Sequence, residues 1–318
     1  MIGKIVGTGA FVPEQVWDNH ELEKFVETSD AWIQERTGVV RRHIIKDETT
    51  VSMAAEAARR AMENGGVAPE EIDMILVSTI SSNVILPCAA CEVQKEIGAV
   101  NAACFDLNAA CTGFLFAYET AQGYITMGLA KTVLIIGSET LSNLVDWKDR
   151  GTCILFGDGA GAAVVRAGEG GGLKAVMHSD GAKGGALTCE NMHGETGRGP
   201  VEKAYMFMDG QAVFKFAVKK VPEVINELME QMNTNIEEID YFILHQANKR
   251  IVESVAKRLK TDVEKFPMNL QEYGNTSSAS IAILLDELNR AGKLQPGMKL
   301  VMAGFGAGLS WGACYIEW

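Results

Sequence analysis

The sequence predicts an α/β protein built from two similar halves, with strands and helices alternating along the chain. Apolar runs rich in β-branched residues predict strands, and helical patterns separate them. Short patterns also recur at a nearly constant distance along the chain, as expected for a duplicated unit. Hydrophobic residues make up 47% of the 318 residues and charged residues 22%, which is enough apolar material for a substantial core.

The predicted strands are Ile72 to Ile80, Cys104 to Asn108, Thr132 to Gly137, Tyr241 to His245, and Lys299 to Ala303. Alternation of strands with helices is typical of parallel strands joined by crossover helices. In such sheets, ligands and reactive groups collect where strands end and helices begin. Functional residues are therefore expected at these junctions.

The duplication is predicted from three pairs of matching segments. Glu70-Glu-Ile-Asp73 recurs as Glu237-Glu-Ile-Asp240, so positions 70 and 237 correspond, and a strand follows each time. Lysines before strands at positions 131 and 299, and glycines at positions 3 and 172, keep nearly the same spacing. We expect an N-terminal half of residues 1–170 and a C-terminal half of residues 171–318. Chance similarity among strand starts is the alternative.

Cys111 follows the second predicted strand, in a turn of small residues that leads into the helical pattern Phe114 to Tyr118. Backbone N–H groups and the helix dipole at such a position favour a thiolate, and can depress a thiol pKa to roughly 3.5–7.5. This position predicts a nucleophilic cysteine. The alternative is a small buried side chain in the core.

Two further junctions carry polar side chains. His245 ends the apolar strand that begins at Tyr241, and the other histidines lack this placement. Asn275 precedes the predicted helix Ile281 to Leu288, near the point of the second half that corresponds to Cys111. A core histidine and a helix-capping asparagine are the alternatives. We expect the cysteine, the histidine and the asparagine to converge.

Ordered motifs run through the whole chain. Around the three junctions they are Asn108-Ala-Ala-Cys111-Thr-Gly, His245-Gln-Ala-Asn248 and Gly274-Asn275-Thr-Ser. Elsewhere they are Asp30-Ala-Trp32-Ile-Gln-Glu-Arg36-Thr37-Gly, Asp149-Arg150-Gly151-Thr152, Phe156-Gly-Asp-Gly-Ala-Gly161 and Gly306-Ala307-Gly-Leu-Ser-Trp-Gly312. Together they resemble β-ketoacyl-acyl carrier protein synthase III, a condensing enzyme of the thiolase superfamily. The resemblance implies a thiolase-like duplicated βαβ core, layered α-β-α-β-α, and a homodimer.

The resemblance implies an acyltransferase that begins type II fatty acid synthesis by a decarboxylating Claisen condensation in two stages. Cys111 would attack an acyl-CoA primer, with the N–H groups of Cys111 and Ala307 as the oxyanion hole. Malonyl-acyl carrier protein would then lose CO₂, with His245 and Asn275 donating to the enolate oxygen. Most family members have glycine at the position of Ala307. No cofactor is implied, because the coenzyme A thioester is a substrate.

The resemblance also assigns binding residues. For coenzyme A it implies adenine stacking, phosphate contacts and a pantetheine tunnel, formed by Trp32, Arg36, Thr37, Arg150, Gly151, Phe214, Ala247 and Asn248. The helix after His245 carries four cations within about 100° of one face. We expect acyl carrier protein to dock on Lys249, Arg250, Lys257 and Lys260, and a solvated face without function is the alternative.

The primer pocket is expected to include Leu86, Leu141 and Phe156. Leu86 precedes Pro87 at a position where acetyl-selective members of the family commonly have phenylalanine, contributed across the dimer to the partner's pocket. The smaller side chain predicts room for short or branched primers beside acetyl. Repacking by Leu141 or Phe156 is the alternative.

Charge and hydropathy argue against several classes of protein. Lys and Arg total 29 against 41 Asp and Glu, and the net charge of −12 disfavours nonspecific attraction to nucleic acid or anionic lipid. Polar residues and Pro87 interrupt the longest uncharged run, so no membrane-spanning helix is expected. The first residues do not have the pattern of a signal peptide, which favours the cytoplasm. No metal site is expected.

Seven scattered cysteines in such a chain predict thiols rather than a disulfide framework. Cys88 and Cys91 have the spacing of redox and zinc motifs, but no second ligand pair with zinc spacing exists. The apolar run before them and the helical pattern after them favour small buried residues.

Two other functions remain open: a coenzyme A-dependent acyltransferase or thioesterase on the same scaffold, and a catalytically silent binding protein of the thiolase fold. The joint presence of Cys111, His245 and Asn275 argues against the silent protein. The two enzymes share the acylation step and differ in the acceptor. The Gly-rich stretch Gly181 to Gly199 is assigned no role by the sequence.

Overall fold

Two mixed β-sheets organise the chain, and each half of the sequence forms one of them. The structure, a computed structural model, describes residues 1–170, 174–190 and 205–318. In chain order the strands are β1 (Ile2–Phe11), β2 (Val16–Asp18), β3 (Arg41–His43), β4 (Met74–Ser78), β5 (Ala103–Leu107), β6 (Thr132–Glu139), β7 (Gly159–Gly168), β8 (Ala175–Ser179), β9 (Leu187–Thr188), β10 (Phe207–Met208), β11 (Tyr241–Leu244), β12 (Lys299–Gly306) and β13 (Ser310–Glu317).

Helices connect these strands and cover the sheets. In chain order they are α1 (Asn19–Leu22), α2 (Asp30–Thr37), α3 (Thr50–Gly65), α4 (Ala89–Ile97), α5 (Gly113–Thr126), α6 (Arg150–Cys153), α7 (Gly210–Met232), α8 (Lys249–Leu259), α9 (Leu270–Tyr273) and α10 (Ser280–Arg290). Short 3₁₀ turns, Ala110–Thr112 and Ser277–Ala279, directly precede α5 and α10. Within the described ranges, none of the helices has the length and apolar character needed to cross a membrane.

The strand order of the first sheet recurs in the second. It is β1-β7-β6-β4-β5 in the first sheet and β8-β13-β12-β11 in the second. The five predicted strands correspond to β4, β5, β6, β11 and β12, which pair in parallel. Four strands outside that predicted set, β1, β7, β8 and β13, pair antiparallel with their neighbours, so both sheets are mixed. For example, β13 returns from β12 through residues 307–309, a link too short to hold a crossover helix.

Three helical layers alternate with the two sheets. Helices α5 and α10 lie between the sheets and share one core with strands of both. Helices α3 and α4 cover the outer face of the first sheet, while α7 and α8 cover the outer face of the second. Along β6, Val133 and Ile135 join the central core, whereas Leu134 and Ile136 join the core under α3. The α-β-α-β-α layering is confirmed.

The boundary between the halves stays a prediction. The shared layer of α5 and α10 ties the halves together, and residues 171–173 lie outside the described residues. The Gly-rich stretch also lies partly outside them, since residues 191–204 are not described. Its described part forms a 3₁₀ turn, Gly181–Ala186, followed by β9.

Candidate active site

Cys111, His245 and Asn275 come from three segments and line one cavity of about 650 Å³. Cys111 lies in the 3₁₀ turn between β5 and α5, and His245 directly follows β11. Asn275 lies in the loop between α9 and α10. All three are buried, with exposed fractions of 8%, 2% and 7%. The fold therefore brings the three predicted residues together, although their catalytic roles stay predictions.

Two glycines of β12 lie beside the cysteine and the histidine, and Gly306 makes room for the cysteine. A Cβ on Gly306 would lie 2.9 Å from the Cβ of Cys111, whereas a Cβ on Gly304 would lie 3.6 Å from the Cβ of His245, an ordinary contact distance. Residues two apart on a strand face the same side, so both catalytic candidates lie against one face of β12. Neither glycine was predicted as a site residue, although a glycine inside a strand often marks such a close approach.

Burial raises the pKa of the Cys111 thiol to about 12, and the charge of nearby Glu139 acts in the same direction. The nearby hydroxyl of Ser277 offsets part of this rise. The expectation of a depressed thiol pKa is wrong, because removal from water penalises the charged form. The regular helix α5, whose dipole was expected to help, begins only at Gly113.

Ser277 was not predicted as a site residue. Its side chain is 1% exposed and lines the cavity, yet it makes no hydrogen bond of standard geometry with the described residues. A buried hydroxyl without a partner is costly unless a ligand or a reacting group completes it. The only sequence signal is its place in the motif Gly274-Asn275-Thr-Ser.

His245 is held by Ser280, at the start of α10. The ring Nδ1 lies 2.7 Å from Ser280 Oγ, which also accepts the backbone N–H of Gln246 over 3.3 Å. Burial lowers the pKa of His245 to about 3, so the ring is neutral at physiological pH. We assign the ring proton to Nε2, because Nδ1 is the acceptor that the buried Ser280 hydroxyl hydrogen reaches among the described residues. This tautomer presents a hydrogen-bond donor to the cavity.

Asn275 is fixed by both halves of the chain. Its Oδ1 accepts the backbone N–H of Ser277 over 2.9 Å, which leaves the amide N–H groups for the cavity. Its backbone N–H donates to the carbonyl of Leu155 over 2.8 Å, and its carbonyl accepts from Gly157 over 3.1 Å. The preceding Gly274 has φ of +66°, and a Cβ there would lie 2.8 Å from the Leu155 carbonyl oxygen. Glycine is therefore required before the asparagine.

The predicted oxyanion donors flank Gly306. A Cβ on Gly306 would lie 3.0 Å from the backbone nitrogen of Cys111, and Ala307 lines the same cavity. Ala307 adopts a negative φ, so alanine in place of the usual glycine causes no left-handed strain.

Most residues predicted for coenzyme A line the cavity: Trp32, Arg36, Thr37, Gly151, Phe214, Ala247 and Asn248. Arg150 lies beside the lining. Its guanidinium carbon is 4.8 Å from the centre of the Trp32 ring, and that of Arg36 is 5.9 Å from the same ring. Two guanidinium groups therefore lie next to one partly exposed indole at the cavity.

Two of these residues already use polar groups of their side chains in hydrogen bonds within the protein. The hydroxyl of Thr37 donates to the carbonyl of Ile33 over 2.7 Å and accepts a backbone N–H over 3.0 Å. Asn248 caps α8 by accepting the N–H of Arg250 over 2.9 Å, and its amide donates to the carbonyl of Arg36 over 3.0 Å. The Thr37 hydroxyl is therefore occupied, and its methyl group is the part of the side chain that can contact a ligand. Asn248 connects α8 to α2 through its hydrogen bond to the Arg36 carbonyl.

Two family models match the chain. The model of 3-oxoacyl-[acyl-carrier-protein (ACP)] synthase III matches residues 105–181, and the model of its C-terminal part matches residues 229–318. Beta-ketoacyl-[acyl-carrier-protein] synthase III of Clostridium acetobutylicum is 48% identical over 99% of this chain and 98% of the relative. The chain belongs to the β-ketoacyl-[acyl-carrier-protein] synthase III family. A Clostridium perfringens synthase III is also 48% identical, again over 99% of this chain and 98% of the relative.

Solved structures related to synthase III have the same fold. The 3-oxoacyl-[acyl-carrier-protein] synthase III of Aquifex aeolicus VF5 has a TM-score of 0.94 and 41% identity, covering 99% of this chain and 100% of that chain. The priming beta-ketosynthase of the R1128 polyketide pathway has a TM-score of 0.95 and 35% identity, with 99% and 96% covered. The predicted family and the thiolase-like fold are therefore confirmed.

Of the three residues predicted for the primer pocket, two line the cavity and one lies outside it. Leu141 and Phe156 are buried and line the cavity. Leu86 lies outside the cavity on a loop with Val84 and Ile85, and its side chain is 82% exposed. Leu86 therefore leaves the pocket of its own chain untouched, and its contribution to a partner's pocket stays a prediction.

The predicted docking face of this synthase III chain is solvent-exposed. Lys249, Arg250, Lys257 and Lys260 are all exposed on α8 or at its C-terminal cap. Lys249 lies 3.7 Å from the carboxylate of Glu253, whereas Arg250 also lines the cavity. The cationic face is therefore continuous with the cavity at Arg250.

Three cations line the synthase III cavity: Arg36, Lys215 and Arg250. Arg250 stacks on Phe214, with its guanidinium carbon 5.3 Å from the ring centre. No Asp or Glu lies among the lining residues in the described part of the chain. Lys215, on α7, was missed by the sequence reasoning, and its place next to the predicted Phe214 is the signal that could have found it.

Proposed function

We propose that the protein condenses an acyl-CoA primer with malonyl-acyl carrier protein to give 3-oxoacyl-acyl carrier protein, coenzyme A and CO₂. The proposal depends chiefly on the convergence of Cys111, His245 and Asn275 in one buried cavity. The product is the one named in the relatives' description. The reaction would initiate fatty acid synthesis in the cytoplasm.

The first stage transfers the acyl group to Cys111. Its sulfur attacks the thioester carbonyl, the carbon–sulfur bond to coenzyme A breaks, and the thiol proton ends on the departing coenzyme A sulfur. The N–H groups of Cys111 and Ala307 stabilise the oxyanion. Since burial keeps the thiol protonated at neutral pH, sulfur acquires charge only as the reaction proceeds. The hydroxyl of Ser277, which lies near the thiol, can then donate to that sulfur.

The second stage breaks the bond between the malonyl carboxylate and its neighbouring carbon, and CO₂ leaves. The electron pair forms an enolate, whose oxygen accepts from Nε2–H of His245 and the amide of Asn275. The enolate carbon attacks the acyl group and releases the Cys111 thiolate, which takes a proton from solvent. A neutral imidazole suits this role, because the step needs a donor and no base.

The charge around the cavity supports acidic substrates despite the net charge of −12. Coenzyme A carries phosphates, and the lining offers Arg36, Lys215 and Arg250, with Arg150 beside Trp32. We assign the adenine to Trp32, since aromatic faces stack on bases and guanidinium groups bind phosphate. Acyl carrier protein then docks on the cationic face of α8, from which its pantetheine arm enters the same cavity.

The homodimer is supported by two features of the first half. Val84, Ile85 and Leu86 form an exposed apolar loop, with exposed fractions of 39%, 67% and 82%. Strand β5 is at the edge of the first sheet, without a neighbouring strand on its outer side among the described residues. Exposed apolar loops and free strand edges are commonly covered by a partner. In the dimer, Leu86 would close the end of the partner's primer pocket.

The test combines the purified protein, short-chain acyl-CoA and malonyl-acyl carrier protein, and measures CO₂ and the chain-extended thioester by mass spectrometry. We expect both products from the parent, and no chain-extended thioester above background from Cys111→Ala, which lacks the acyl-accepting thiol. Acyl-CoA hydrolysis without CO₂ would instead indicate a thioesterase. Transfer of the acyl group to another acceptor without decarboxylation would indicate a different acyltransferase.

A further inference from the structure

Two buried hydroxyl groups connect the cysteine turn, residues 109–112, with the Ala307 turn, residues 307–309. Thr112 ends the cysteine turn, and Ser310 follows the Ala307 turn as the first residue of β13. Their side-chain oxygen atoms lie 2.8 Å apart, and the two residues are 0% and 5% exposed. Neither is among the residues that line the cavity in the described part of the chain. The pair therefore acts on the cavity through the backbone of the two turns.

Each hydroxyl also lies next to a carbonyl of its own segment. Thr112 Oγ1 is 2.7 Å from the Ala109 carbonyl oxygen, and Ser310 Oγ is 3.0 Å from the Ala307 carbonyl oxygen. Two hydroxyl hydrogens thus serve three close contacts, and a carbonyl oxygen can only accept. Because the Ala109 carbonyl already accepts the backbone N–H of Thr112 over 3.1 Å, the Thr112 hydroxyl can donate to Ser310. The hydrogen bonds then run in one direction, from Thr112 through Ser310 to the Ala307 carbonyl, and every group has a partner.

The opposite side of the Ala307 turn is held by backbone hydrogen bonds. The N–H of Asp180 donates to the Leu309 carbonyl over 2.7 Å, and the N–H of Leu309 donates to the Asp180 carbonyl over 3.1 Å. Among the hydrogen bonds of the described residues, the contact between Thr112 and Ser310 is the one that joins the Ala307 turn to the cysteine turn. The distance between the two turns therefore depends on this pair of hydroxyls.

We propose that the Thr112–Ser310 pair positions the oxyanion hole, by holding the Ala307 turn in place against the cysteine turn. The inference rests on the proposed function, because it takes the N–H groups of Cys111 and Ala307 as the donors to the thioester oxygen. Such donors stabilise an oxyanion when they are fixed in advance at hydrogen-bonding distance from the oxygen that gains charge. Thr112 and Ser310 are therefore positioning residues, which act without contact to the substrate.

The first test removes each hydroxyl and measures acylation in a single turnover. Thr112→Val keeps the shape of the side chain, and Ser310→Ala removes one oxygen atom. Loss of a whole oxyanion donor costs about 10²–10³ in rate, so displacement of one donor should lower the maximal rate of acylation by acetyl-CoA about tenfold. The acetyl-CoA concentration that gives half of this rate should stay the same, because the pair lies outside the cavity. The double variant should be about as slow as either single variant, since each change breaks the same connection.

Two further variants separate positioning from a general loss of stability. Thr112→Ser retains the hydroxyl and should restore the acylation rate. Thr120→Val is the matched control, because the Thr120 hydroxyl donates to the Phe116 carbonyl over 2.7 Å within α5, outside the cavity lining. This control should acylate as fast as the parent.

The infrared band of the acyl-enzyme carbonyl, labelled with ¹³C, reports the hydrogen bonds of the oxyanion hole directly. We expect the band to move to higher frequency in Thr112→Val and Ser310→Ala, and to keep the parent position in Thr120→Val. The inference is wrong if both deletion variants acylate at the parent rate, if their losses multiply in the double variant, or if their carbonyl bands do not move. A parent protein that acquires no acyl group on Cys111 would contradict the proposed function, and this inference with it.

Discussion

Ser280→Ala should slow condensation while leaving acylation of Cys111 nearly unchanged. Ser280 does not line the cavity, and it acts through the 2.7 Å contact of its hydroxyl with Nδ1 of His245. Removing the hydroxyl leaves a buried ring nitrogen without its partner and removes the preference for the Nε2–H tautomer. Ser280 is therefore a positioning residue for the histidine.

The size of the effect follows from burial. Leaving a buried polar group unsatisfied costs about 1–3 kcal/mol. If the enolate-forming transition state bears that cost, the rate of CO₂ release from malonyl-acyl carrier protein should fall by about 5- to 150-fold. Formation of the acyl-enzyme, followed by intact mass, should change less than the condensation rate, because His245 has no assigned part in that step.

A control variant and a spectroscopic measurement distinguish a general loss of stability in Ser280→Ala from a change in the His245 tautomer. Ser138 is equally buried, its hydroxyl donates to the carbonyl of Thr50 over 2.7 Å, and it does not line the cavity. Ser138→Ala should lose comparable stability and keep the condensation rate. Imidazole ¹⁵N shifts should report Nε2–H in the parent and a tautomer mixture in Ser280→Ala. An unchanged tautomer, or equal losses in both half-reactions, would refute the reasoning.

Three further changes test the cavity, the primer pocket and the docking face. Gly306→Ala places a Cβ 2.9 Å from that of Cys111, so acyl-enzyme formation should fall by about 10²-fold, and an undiminished rate would contradict the packing argument. Leu86→Phe should lower kcat/KM for butyryl-CoA relative to acetyl-CoA, by about 0.8 kcal/mol per excluded CH₂, and an unchanged ratio would remove Leu86 from the pocket. Reversing Lys257 and Lys260 to Glu should raise KM for malonyl-acyl carrier protein and spare acyl-CoA, whereas unaltered carrier kinetics at low salt would leave the face without this function.

The sequence predicted the junctions better than the contacts made there. Cys111 was found because a predicted strand leads through a turn of small residues into a helical pattern, and His245 because an apolar strand ends there. Both signals lie within a few residues of chain. Ser280 and Gly306 act through contacts between segments distant in sequence, which periodicity does not reveal. The depressed thiol pKa was predicted from local helix geometry, whereas burial, a property of the whole fold, decides its direction.

The two halves contain similar turns, but the turn of the first half carries the thiol that lines the cavity. Ala110 and Ser277, 167 residues apart, both adopt left-handed backbone, with φ of 45° and 48°. The next residues are Cys111 in the first turn and Ser278 in the second.

The same spacing pairs Gly306, which makes room for Cys111, with Glu139. Glu139 is fully buried and accepts from Ser278 over 2.9 Å and from Ser81 over 2.6 Å. In the second turn, Ser278 is therefore hydrogen-bonded to the side chain of Glu139. In the first turn, Gly306 instead leaves space beside the Cys111 thiol. The two folds are alike, and a few side chains at matching positions decide which turn is reactive.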